Sequence, residues 1–70
     1  MRYTIIIEKA GNNYSAYAPD LPGCIAAGDT VQETKLLMQG AIEMHLRGMR
    51  EDGDPIPEPT TVVDTIEVAA

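Results

Sequence analysis

At 70 residues the chain has room for one small hydrophobic core, so 1–70 reads as a single domain. Five Lys and Arg against eleven Asp and Glu give a formal charge of −6, the wrong sign for a protein that grips nucleic acid by neutralising phosphates. One Cys and one His exclude an intrachain disulfide and a four-ligand zinc site.

No leader pattern and no apolar run near about 18 residues occur, so a soluble, cytoplasmic protein is expected. A core this small leaves little stability margin, and with disulfides and metals excluded, assembly with another chain is the remaining support. The acidic surface suits encounter with a basic partner.

Taken in order, Arg2 to Glu8 (RYTIIIE) is rich in β-branched and aromatic residues and reads as a strand. Tyr3, Ile5 and Ile7 share one face, and Ile6 lies on the other. Lys9 to Asn12 (KAGN), holding Gly11 and Asn12, reads as a hairpin connection. Asn13 to Ala18 is a second, antiparallel strand, with Tyr14, Ala16 and Ala18 on one side and Tyr17 on the other. Pro19 to Cys24 (PDLPGC) cannot continue a central strand and makes a rigid turn. Such a loop can present Asp20, Leu21 and Pro22 to a partner. Cys24 to Gly28 is a short third strand, in which Cys24 reads as a small buried hydrophobe.

Thr30 to Glu51 is the only predicted helix. Thr30 and Glu33 form a capping-box pattern. Arg47 and Arg50 suit the C-terminal end of the dipole, and Gly53, Pro55 and Pro57 terminate the element. At about 100° per residue, Val31, Lys35, Met38, Ile42, Leu46 and Met49 form one stripe, flanked by Thr34 and His45. His45 therefore reads as a packing residue. Leu37, Ala41, Met44 and Gly48 form a second stripe, where small residues would admit another backbone. A proline-stiffened acidic segment follows, and Thr61 to Val68 (TVVDTIEV) reads as a fourth strand.

The predicted order is β-β-β-α-β. It gives an α+β fold with a four-stranded mixed sheet, spatial order 3-2-1-4, and one helix on one face. The other face, carrying Ile6 and Tyr17, has no cover within the chain. An association surface including Ile6, Tyr17, Leu37 and Met44 follows. The carboxylates Glu8, Asp20, Asp29, Glu43 and Asp64 do not converge as two-metal nuclease chemistry requires, so no catalytic residue, cofactor or metal site is expected.

The run YSAYAPDLPGCIAAGDTVQE, then AIEMHL in the helix and the ending REDGDPIPEP, resembles the HicB antitoxin family, in particular its N-terminal domain. The likeness covers roughly Arg2 to Thr60. It implies a truncated ribonuclease H-like fold and a non-enzymatic role. It also implies a partner, a small basic HicA-like toxin that cleaves mRNA and whose active-site histidine the antitoxin masks. Many members carry a C-terminal ribbon-helix-helix or helix-turn-helix domain. Since Ala70 follows the fourth strand directly, operator binding by this chain alone is not expected. The alternative reading is an orphan HicB-like regulatory or ligand-binding domain without a toxin, and in either case a homo-oligomer is expected. A gel shift with the chain and its own promoter at physiological salt should show no retarded band; a band would overturn the charge argument.

Overall fold

The computed structural model describes residues 1–70. Three strands, β1 (Ile6–Ala10), β2 (Asn13–Tyr17) and β3 (Ile25–Gly28), precede one helix, α1 (Val31–Glu51). They form an antiparallel sheet in the order β1-β2-β3. Ala10 pairs with Asn13 across Gly11 and Asn12, and Ile6 pairs with Tyr17. Gly11 has φ +65°, the left-handed value that a two-residue hairpin requires at its first central position. Tyr14 pairs with Gly28 and Tyr17 with Ile25 in the second ladder.

Both helix ends are closed by local chemistry. The Thr30 hydroxyl accepts the Glu33 N–H at 3.0 Å, and the buried Thr34 hydroxyl donates to the Thr30 carbonyl at 2.7 Å. Only this half of the expected capping box forms, because the exposed Glu33 side chain stays in water. At the other end Gly53 (φ +74°) donates to Arg50 and Asp54 to Met49. These two bonds make a Schellman closure, which needs a residue tolerant of positive φ.

The core is a seam of small strand residues under the helix. Ala16, Ala18, Cys24, Leu21 and Met38 are buried, the last two completely. Gly28 lets the first turn of the helix descend onto β3: a Cβ there would sit 2.8 Å from the Thr34 hydroxyl and 3.1 Å from its backbone nitrogen. The helix accordingly lies over β3 and β2 and touches β1 least. Its buried side runs through Thr34 and Met38, with Ala41, Ile42, His45, Leu46 and Met49 half-buried. Val31 and Lys35, expected on that stripe, are exposed instead, since the seam is narrower than the wheel allows.

The expected fourth strand is not part of the sheet. Residues after Asp54 make no backbone–backbone hydrogen bond, and no regular element follows Glu51. Thr61–Val68 has the composition of a strand, but a strand exists only through a ladder partner, and here the segment has none. The radius of gyration is 13.8 Å and the principal extents are 48 × 26 × 17 Å. A compact chain of this length would have a radius near about 11 Å, so the tail projects as an arm.

Two glycine substitutions should move stability in opposite directions. Gly28→Ala forces the helix off β3 and should cost about 1–3 kcal/mol. Gly40→Ala meets nothing within 4 Å and should add about 0.5–1 kcal/mol by favouring the helix. Urea unfolding of both variants checks the pair; equal and small effects would contradict the close approach.

Candidate functional site

The PDLPGC turn is folded back on itself. Leu21 donates its N–H to Ala18 at 3.0 Å, Cys24 donates to Leu21 at 3.1 Å, and Ala18 donates to Cys24 at 3.3 Å. Gly23, at φ +84°, permits the reversal. These bonds turn Leu21 inward as a core plug with 0% exposure. Leu21 is thus not a surface contact, contrary to the sequence expectation; only Pro22 and Gly23 stand exposed at the tip. Cys24 is buried beside it, and burial pushes its thiol above the ordinary value. A neutral, shielded thiol is a poor nucleophile.

Asp20 serves the tail. Its carboxylate accepts from the Thr60 hydroxyl at 3.1 Å, the Thr61 N–H at 3.2 Å and the Thr61 hydroxyl at 2.9 Å. Nearby, the Tyr3 hydroxyl donates to the Pro57 carbonyl at 2.6 Å and the Thr4 hydroxyl to the Thr61 carbonyl at 3.4 Å. Tyr3 packs against the core beneath the helix, and Thr4 is half-buried beside it. The tail therefore runs past Tyr3 and Thr4, just before β1, and is latched there by Asp20.

The remaining expected contacts divide between two surfaces. Ile6 and Tyr17 stand directly opposite each other on the open face, and Ile25 stands opposite Tyr17. Ile25 is 69% exposed and completes an apolar row across all three strands. It was missed from the sequence, although the inward Cys24 next to it assigns it outward by alternation. The row continues around the β3 edge into a shallow groove of about 200 Å³ lined by Gly23, Cys24, Ile25, Ala41, Met44 and His45. Met44 is 70% exposed, and Leu37, also exposed, lies two turns earlier on the same helix flank. Ile6, Tyr17, Ile25, Met44 and Leu37 thus wrap one side of the domain.

The opposite side holds a larger groove of about 410 Å³ between the start of the chain and the helix. Met1, Tyr3 and Ile5 form one wall, and Lys35, Met38, Gln39, Ile42, Glu43 and Leu46 the other. It exists because the helix is drawn toward β3 and leaves β1 partly uncovered. No group of three or more His, Cys, Asp or Glu side chains is placed to hold a metal ion. No helix is long and apolar enough to cross a membrane.

A family model described as HicB-like antitoxin of bacterial toxin-antitoxin system matches residues 3–69. The chain belongs to this family. Among curated relatives of this HicB-like protein is an uncharacterized 14.9 kDa protein of the rep-hol intergenic region of Haemophilus phage HP1, 45% identical over 58 residues. That match covers 83% of the chain but only 44% of the phage protein, so the chain spans less than half of that relative. A UPF0150 protein of Synechocystis is 30% identical over 67 residues, covering 94% of the chain and 85% of the relative. A UPF0150 protein of Helicobacter pylori is 31% identical over 70 residues, covering 99% and 97%. No solved structure matches the chain. Family membership carries the toxin-antitoxin association expected from the PDLPGC and REDGDPIPEP runs.

The latch has a pH signature. Partial burial alone would raise the Asp20 carboxyl, but the Thr61 N–H and the Thr61 and Thr60 hydroxyls outweigh it and hold it below its ordinary value of 3.8. A lowered folded-state value means that the latch contributes fully above the ordinary value and is lost as pH falls through the lower one. The Thr61 amide should therefore exchange faster on acidification below 3.8, after correction for intrinsic exchange. Asp20→Asn should abolish that step. An unchanged profile in the variant would show that another group holds the tail.

Proposed function

We propose that this HicB-like protein is a non-enzymatic antitoxin that neutralises a small basic HicA-like ribonuclease in the cytoplasm by covering its active site. Family membership supports the toxin-antitoxin setting. The observation that carries the mechanism is the apolar band of exposed Tyr17, Ile25, Met44 and Leu37, with half-buried Ile6 at its end, on a protein of net charge −6.

The two features divide the work. Acidic groups speed encounter with a basic toxin, an effect that salt screens. The apolar band then supplies the buried centre of the contact, with Pro22 on the stiff loop at its margin. Asp20 contributes by holding the tail in place, since its oxygens are already engaged. Covering the toxin's catalytic surface keeps RNA out without any chemistry on the antitoxin's part. The reading also includes self-association into a homo-oligomer and completion of the sheet to a truncated ribonuclease H-like form, order 3-2-1-4.

The basic product of the adjacent gene is the probe. Tyr17→Asp and Met44→Asp alter exposed positions, so their far-ultraviolet circular dichroism should match the parent and each should lose no more than about 1 kcal/mol of stability through strand or helix propensity. Each should weaken inhibition of that product's RNA cleavage by roughly 10-fold or more, the scale of a central contact. Raising salt should slow association more than it speeds dissociation. Full inhibition by both variants would overturn the assignment of this band.

A further inference from the structure

The side of the domain not used above is an incomplete sheet edge. β1 pairs only with β2, so its outer edge presents unpaired backbone groups. Beside that edge lies the groove of about 410 Å³, walled mainly by Tyr3, Ile5, Met38, Ile42 and Leu46. An apolar groove under a helix, next to an open strand edge, has the shape left by a missing strand.

The same chain carries the missing part, placed where it does not fill the gap. Val62, Val63, Ile66 and Val68 are between 66% and 86% exposed. In an extended segment Val62, Asp64, Ile66 and Val68 fall on one side, which would bring three apolar residues and one acid to the groove. The groove lining offers one cation, Lys35, and one acid, Glu43. The Asp20 latch fixes Thr61 beside Thr4, and no residue beyond Leu46 lines the groove, so the arm leaves its own groove empty.

We propose that the arm after Thr61 pairs with the β1 edge of a second copy of this chain and buries Val62 and Ile66 in that copy's groove, reciprocally. The proposal rests on the self-association reading above and specifies its contact. Arm and edge belong to one chain, so a two-fold exchange uses each of them twice and closes without leaving either free. Arm, edge and groove together approach the roughly 20–30 residues a side of a stable interface. The exchange extends the sheet to the order 3-2-1-4 and removes the edge as an aggregation hazard. It leaves the Ile6–Tyr17–Ile25–Met44 band free for a toxin.

Sedimentation equilibrium of the full chain, of Val62→Asp/Ile66→Asp and of a chain ending at Thr61 tests this. The altered residues are exposed, so the fold survives their loss, and circular dichroism should confirm it. The full chain should be dimeric at about 10–100 μM, and both variants should dissociate at least ~100-fold more readily, the scale of losing two buried aliphatic side chains. A monomeric full chain would overturn both the self-association reading and the exchange. Dimers unaffected by the variants would leave self-association standing and overturn the exchange. Arm amides protected from exchange in a monomer, or protected only after toxin is added, would assign the groove to the chain's own arm or to the toxin, and each would overturn the proposal.

Discussion

The close seat of the helix on β3 sets the shape of this molecule. Gly28, Ala16, Ala18 and Cys24 are small, so the helix can approach β2 and β3 closely, with Thr34 and Met38 filling the seam. Drawn to that side, it cannot also cover β1. The groove beneath Ile42 and Leu46 is the direct consequence. Leu21 seals the seam from the loop side, fully buried, and the bonds among Ala18, Leu21 and Cys24 fold the PDLPGC turn around it. Truncating Leu21 would cost about 2–5 kcal/mol, a large share of what a domain of this size holds.

A seam this narrow leaves two apolar surfaces on opposite flanks. One wraps the β3 edge from Ile6 to Leu37; the other is the groove at β1. In a chain whose core holds five buried hydrophobic residues, exposed apolar area of this kind supports the proposed contacts with other proteins. The net charge of −6 opposes non-specific association of such surfaces and, on the proposed function, biases encounter toward a basic partner. The Asp20 latch ties the loop to the start of the arm through Thr60 and Thr61.

Much of this was legible in the sequence, and the gaps have physical causes. The helix and its ends were readable because Thr30, Glu33 and Gly53 act through bonds made within one turn. Alternation located the second and third strands, but β1 forms over Ile6–Ala10 and not over the expected Arg2 to Glu8, because its ladder with β2 takes in Lys9 and Ala10 up to the Gly11–Asn12 turn. The family was readable from the spacing of PDLPGC and REDGDPIPEP. Leu21 was not, because an apolar residue between two prolines gives no sign of direction until the bonds among Ala18, Leu21 and Cys24 turn it inward. Thr61–Val68 has strand propensity, but pairing is a tertiary property that composition cannot supply. Asp20 was noticed as a loop residue, yet its partners lie some forty positions away, beyond any local pattern.

The account holds that this domain is completed by another chain and not by itself. Isotope-filtered nuclear Overhauser spectroscopy on an equimolar mixture of labelled and unlabelled protein addresses that claim directly. Cross-peaks between the Val62 and Ile66 methyls and the Tyr3 ring or Leu46 methyls should appear only between differently labelled molecules. The same cross-peaks arising within one molecule, or none at millimolar concentration, would contradict it.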